Sequence, residues 1–319
     1  MNNEETIISL ISQPSHLHKF VFSNHFLYQL YNIFAFELFG HYYFSPVALN
    51  IIVTFFTSYF VFRISLLIGF SKKLSLFIAM FYLLHWDILH WSTFLNLKDV
   101  LIQLMSIVLI FNILEFENNK RIKNVVFIGS VLLLFSTIRF YLPFLIFVSF
   151  IVYKILWVIF TANRLNRMYY IISSFILILL FLPLVLNNLN DEIEMLMISF
   201  TNPAIGMIRF LLTPIPFHFE TNYSFLYFPS LLHWLTFPLF IYGAYISHKV
   251  NRKIMLFIFI YLFVILLFYG SYGQLQGPRH RLQIEPYIAM FQIIGLIALF
   301  YRDKFYRQYI NKVEKYFEK

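Results

Sequence analysis

The sequence predicts an all-α integral membrane protein with about nine transmembrane helices, an interfacial N-terminal segment and one longer outer loop. Three observations carry this expectation. Of the 319 residues, 60% are hydrophobic and only 12% charged, and the mean hydropathy is +0.74, far from the composition of water-soluble domains. Apolar runs near the ~20 residues needed to cross a bilayer recur along the chain. The breaks between them alternate between basic and weakly charged, as loops on opposite sides of a membrane do.

The N-terminal segment, residues 1–43, begins with a polar stretch from Met1 to Phe20 that has no basic region ahead of an apolar core, so no signal peptide is expected. Its run His25 to Phe39 is aromatic, too short to span comfortably and closed by Gly40, which suits a helix lying in the interface. The membrane domain, residues 44–301, supplies the runs Phe44 to Phe70, Leu74 to Leu95, Asp99 to Phe116, Ile122 to Ile138 and Phe140 to Ala162. Four more follow: Met168 to Leu189, Pro229 to Ser247, Ile254 to Tyr272 and Ile284 to Tyr301. The outer loop occupies about residues 190–228, and residues 302–319 form a basic tail.

Lys72 and Lys73, Lys120 to Lys123, Arg164 and Arg167, Lys249 to Lys253 and the tail belong to one set of breaks, which the charge bias places in the cytoplasm. Lys19, Lys98, Arg139, Arg209, Arg279 and Arg281 fall on the other side, together with every histidine except His248 and most of the carboxylates. Histidines and carboxylates did not enter the orientation, so their gathering on the outer face is independent of it. The net charge of +9 therefore reflects membrane topology rather than affinity for nucleic acid. Cysteine is absent, which excludes disulfides and thiolate chemistry. The 42 Phe and 22 Tyr are ascribed to packing in lipid and anchoring at its interfaces.

Several outer segments could carry chemistry. His85-Trp86-Asp87-Ile88-Leu89-His90-Trp91 ends the second run, and Lys98-Asp99 opens the third. Charges at such positions either reach headgroups or line a polar cavity. Arg139, at the tip of a tight hairpin followed by Tyr141 and Pro143, offers a planar fork for bidentate phosphate contact or an interfacial anchor. Arg279-His280-Arg281 sits on the side where basic residues are disfavoured, as an anionic ligand or lipid headgroups would explain. The outer loop combines Asp191, Glu192 and Glu194 with the Arg209 to Glu220 stretch and its two prolines, and Asn222-Tyr223-Ser224 matches a glycosylation triplet. No phosphate-cradling glycine loop, paired-histidine zinc helix or nucleophile elbow occurs.

In order, these pieces resemble the polyprenyl-phosphate-dependent membrane glycosyltransferases of the GT-C type, in the protein mannosyltransferase and aminoarabinose transferase group. The matching segments are Glu37-Leu38-Phe39-Gly40 before a membrane helix, Lys98-Asp99, Arg139 with Tyr141 and Pro143, Arg209 to Phe217, and Arg279 to Pro286. The resemblance implies transfer of a sugar from a polyprenyl-phosphate donor to a lipid- or polymer-linked glycan of the cell envelope. It would take place at the extracytoplasmic face of a bacterial plasma membrane, with a cytoplasmic C-terminus. It implies donor-phosphate contacts from Lys98, Arg139, Arg279, His280 and Arg281, and a carboxylate base toward the acceptor hydroxyl. Compared with the family, the first transmembrane helix and its acidic loop are missing, and Asp99, Asp87, Glu4 and Glu5 all stand as candidates for the base. No cofactor is required by the sequence, and it leaves a divalent metal undecided; the partners expected are the lipid-linked sugar, the acceptor and membrane lipids.

Two other functions fit the same pattern. A polysaccharide repeat-unit polymerase also combines many helices with outer arginines, although it needs a longer outer loop. A transporter or flippase for a lipid-linked precursor would place polar or helix-broken positions near the midplane.

Overall fold

The computed structural model describes residues 26–139, 141–161, 200–216 and 221–301. The run Met168 to Leu189, the tail, Glu4 and Glu5 lie outside the described residues. Within them the chain is helical, without a strand; Phe200 and Tyr272 form an isolated bridge.

The helices are α1 (Phe26–Phe39), α2 (Ser45–Ile68), α3 (Lys72–Leu83), α4 (Trp86–Thr93), α5 (Lys98–Asn119), α6 (Ile122–Ser136) and α7 (Tyr141–Thr161). They continue with α8 (Pro203–Leu212), α9 (Tyr227–Val250), α10 (Arg252–Ser271), the single turn α11 (Pro278–Arg281) and α12 (Glu285–Phe300). Helices α2, α5, α7, α9 and α10 are each long and apolar enough to cross a membrane, and α3 with α4 make a sixth if their bent pair is one span. Helices α6 and α12 are apolar but shorter, with 15 and 16 residues.

Local chemistry sets many of the ends. Ser71, Asn202 and Asn251 cap α3, α8 and α10 by accepting from backbone N–H groups. Gly69 closes α2 at φ +112°, a conformation that glycine reaches without a Cβ penalty.

The fold is inside-out relative to a soluble protein. Large apolar side chains such as Phe55, Phe56, Val126, Leu133, Phe160 and Leu235 face outward, while polar groups are buried. In lipid those groups must be satisfied internally. In α2 they are, because Thr54, Thr57 and Ser65 donate to carbonyls one turn back. With its many apolar helices, this distribution makes the chain an all-α membrane protein.

Helix α12 is buried along its first eleven residues, Glu285 to Gly295. It packs along α9 where two glycines remove side-chain bulk. A Cβ on Gly243 would come within 1.8 Å of the Phe291 carbonyl oxygen, and one on Gly295 within 2.1 Å of that of Leu239. Helix α8 rests on α10 by the same device, since a Cβ on Gly206 would meet the Gly270 carbonyl oxygen at 1.8 Å.

The run Leu74 to Leu95, expected as one helix, is two. Helices α3 and α4 meet at a 50° bend where His85 adopts an extended backbone, φ −66° and ψ 131°. The bend turns His85 into the interior, where its ring contacts Gln292 of α12. The expected outer loop contains a helix of its own, α8, and the 3₁₀ turn Thr221–Leu226.

Helix α5 gives the molecule a polarity. Asp99, in its first turn, pairs with Arg139 and Arg279; Glu117, near its other end, pairs with Lys154 of α7 and Lys253 of α10. At 1.5 Å rise per residue the two sites are about 27 Å apart, close to the thickness of a bilayer core.

Candidate functional site

Two polar clusters are built at the Asp99 end. The first centres on Asp99, which is fully buried although it opens a helix. Arg139, from the short turn between α6 and α7, places Nη1 3.2 Å from Asp99 Oδ1. Arg279, from α11, donates Nε–H to Oδ2. One carboxylate thus fixes two guanidiniums that arrive from separate parts of the chain, and charge-assisted contacts of this kind are both short and directional.

Arg139 is further bounded by the Tyr269 hydroxyl at 3.3 Å and by His280 Nδ1, which accepts at 3.4 Å. The Tyr269 hydroxyl also meets those of Tyr141 at 3.2 Å and accepts from Gln283 Nε2. His280 lies in the break between spans. Its burial, reinforced by the Arg139 guanidinium, pushes the imidazole down to about 4, so the ring is neutral and can accept from Arg139. Lys98 is near enough to add to the same positive field. Arg139 is buried, whereas the Arg279 side chain is 40% exposed, so the cluster reaches the molecular surface at Arg279.

Helix α1 closes one side. Tyr28 donates to Asn96 Oδ1 at 2.8 Å, and Asn96 Nδ2 donates to Asn32 Oδ1 at 3.0 Å. Tyr31 donates to Asn50 Oδ1 at 2.6 Å, while Asn50 donates to the Leu95 carbonyl. These bonds hold the Leu95–Leu97 turn, which presents Lys98 and Asp99.

The second cluster is dry. Arg281, 1% exposed, uses its whole fork: Nη2 faces Asp87 Oδ2 at 3.3 Å, Nε faces Glu285 Oε2 at 3.4 Å, and Nη1 donates to the carbonyls of Leu211 and Thr213. It therefore ties the end of α8 to α4 and α12. His85 and His233 flank the carboxylates at 3.6 Å from Glu285 Oε1 and 3.8 Å from Asp87 Oδ2. Gln292 joins His85 to Thr236 of α9.

Lys98, Asp99, Arg139, Arg279 and His280 are thus brought together, while Asp87 and Arg281 belong to the separate, dry cluster. Reasoning from sequence named His85 and Glu285 only within the segments His85 to Trp91 and Arg279 to Pro286, without giving either a role, and did not select His233, Tyr269, Asn32 or Asn50. A signal existed for His233, an ionisable residue inside an apolar run, and for Glu285, four residues after Arg281 and hence on the same side of a helical turn. Nothing local marks Tyr269, which reads as one more aromatic in an apolar helix. No protein-family model, curated protein or solved structure matches this chain.

Proposed function

We propose that the protein is a membrane glycosyltransferase that moves a sugar from a polyprenyl-phosphate donor to a lipid- or polymer-linked glycan. In this reading the chain crosses a bacterial plasma membrane about nine times, has its C-terminus in the cytoplasm and works at the extracytoplasmic face. The observation that carries the reading is the convergence of Arg139 and Arg279 on Asp99, with Lys98 and His280 beside them, in a cluster that reaches the molecular surface.

Such a group suits a departing lipid phosphate, whose developing charge fixed cations stabilise. Arg279, the exposed member, takes the phosphate first and in doing so leaves Asp99 Oδ2. The freed carboxylate oxygen takes the proton of the acceptor hydroxyl as the hydroxyl oxygen attacks the anomeric carbon from the face opposite the phosphate. The bond from carbon to phosphate oxygen breaks, its electron pair leaves with the polyprenyl phosphate, and the configuration inverts. Arg281 has no part in this contact, because its donors already serve Asp87, Glu285 and two carbonyls. An apolar groove of about 330 Å³ between α2 and the bent pair, lined by Ile51, Phe55, Met80, Leu83, Leu84 and Leu89, supports the reading by offering a path for the prenyl chain.

The test is transfer of label from a radiolabelled polyprenyl-phosphate hexose to a lipid or glycan acceptor in membranes containing the purified chain. Loss of transfer in Lys98→Ala and Arg279→Ala is expected. No transfer over a panel of donors by a folded chain, or wild-type rates in both variants, overturns the proposal.

The bent α3–α4 pair supports a second reading, a transporter for a lipid-linked precursor, since broken helices with buried polar groups are characteristic of transporters. Movement of a fluorescent lipid-linked sugar across proteoliposomes, without any glycosidic product, favours that function over transfer.

A further inference from the structure

The dry cluster contains an electrostatic mismatch that neither proposed function uses. His233 Nε2 lies 2.8 Å from the Leu211 carbonyl oxygen, which can only accept, so Nε2 carries the hydrogen and Nδ1 of the neutral ring presents a lone pair. The same follows for His85. Thr236 donates its hydroxyl hydrogen to the Leu232 carbonyl and therefore accepts from Gln292 Nε2, which turns Gln292 Oε1 toward His85 Nε2 at 2.9 Å. His85 Nε2 is then the donor, and His85 Nδ1 also presents a lone pair.

Both lone pairs point at carboxylates: His85 Nδ1 at Glu285 Oε1, 3.6 Å away, and His233 Nδ1 at Asp87 Oδ2, 3.8 Å away. His85 Nδ1, His233 Nδ1 and Glu285 Oε1 have no hydrogen-bond partner, and these residues are at most 1% exposed. Acceptors facing acceptors in a buried interior are unfavourable unless a proton or a metal ion stands between them. Arg281 does not serve, because it meets Glu285 at Oε2 and leaves Oε1 open.

We propose that His85, Asp87 and Glu285 bind a divalent transition-metal ion of the Zn²⁺ type, with His233 beside Asp87 but outside the ligand set. Donor atoms of His85, Asp87 and Glu285 lie within 4.8 Å of one another. Tetrahedral arms of about 2.1 Å give ligand-to-ligand edges of about 3.4 Å, close to the 3.6 Å between His85 Nδ1 and Glu285 Oε1. Mixed imidazole and carboxylate donors suit zinc, and His85 gives its other N–H to Gln292 Oε1, which fixes the ring as is usual for a metal-bound imidazole.

The ligands come from the bend before α4, its first turn and the first turn of α12. Since all are buried, the ion acts as a staple that holds the bent pair against α12.

The experiment uses the full chain purified in nanodiscs without chelator or histidine tag. Elemental analysis is expected to find about one zinc per chain, falling at least fivefold in His85→Asn and Glu285→Gln, while Lys154→Gln keeps it. Stripping with 1,10-phenanthroline should lower the unfolding temperature by several degrees, Zn²⁺ should restore it, and bound Co²⁺ should give visible absorption bands. The wild type alone can overturn the proposal: no bound metal as purified, together with no uptake and no thermal shift on titration with Zn²⁺ or Co²⁺, means that protonation of the cluster satisfies those atoms instead.

Discussion

Arg139 and Arg279 share the two oxygens of Asp99, one guanidinium on each. Replacing Asp99 with Asn should therefore act unlike loss of either arginine. In the proposed transfer, Asp99→Asn lowers kcat by about 10²-fold or more through loss of the base, and leaves donor KM unchanged or lower because both arginines are released toward phosphate. Arg279→Ala should raise donor KM. Steady-state kinetics over donor concentration separate these patterns, and a raised KM in Asp99→Asn would assign the residue to binding.

Arg281 satisfies two carboxylates and two backbone carbonyls with one buried fork. Arg281→Ala should cost about 3–5 kcal/mol, the range for breaking a buried ion pair by removing one partner. Arg281→Lys should recover little, since an ammonium cannot reproduce the fork. Equilibrium unfolding in mixed micelles measures the loss, and hydrogen exchange should show the end of α8 loosening first, because the Thr213 carbonyl loses its Arg281 donor and the Leu211 carbonyl keeps only His233.

The crossing of α9 and α12 depends on having no Cβ at Gly243 and Gly295. Each substitution to Ala forces the backbones apart and should lower the unfolding temperature clearly. Gly129→Ala on α6, where nothing lies within 4 Å of the added carbon, should be neutral or stabilising by about 0.5–1 kcal/mol through helix propensity. Equal losses at all three positions would contradict a packing origin.

His280 titrates at about 4, below its ordinary 6.5, because of burial and the Arg139 guanidinium. Between these values the unfolded chain binds the proton and the folded chain does not. The resulting stability is full above pH 6.5 and declines as the pH falls toward 4. NMR of ¹⁵N-histidine-labelled protein should show a neutral ring at pH 5.5, and His280→Gln should flatten this part of the stability profile. A ring already protonated at pH 6 would refute the assigned environment.

How much could be read in advance varied with the kind of interaction involved. The runs Phe44 to Phe70, Asp99 to Phe116 and Ile254 to Tyr272 correspond closely to α2, α5 and α10, because segment length and continuous apolarity are local properties. The bend at His85 was not visible in the same way: Leu74 to Leu95 contains no proline or glycine to mark a break, and the break depends on Gln292 and Glu285 far along the chain. Lys98, Asp99, Arg139 and Arg279 each stood out as charges at the ends of apolar runs, where the cost of burial makes any charge conspicuous.

The sequence by itself determined that this chain is helical and belongs in a membrane, and which charged residues deserved notice, since composition and run length are summed along the chain. Only the tertiary structure decided how those residues divide: Arg279 joins Asp99 at an open cluster, while Arg281, two positions later, turns inward to Asp87 and Glu285. The physical reason is that successive residues of the α11 turn point in different directions, so neighbours in sequence meet different helices. Which carboxylate waits on each side is set by the packing of α4, α5 and α12.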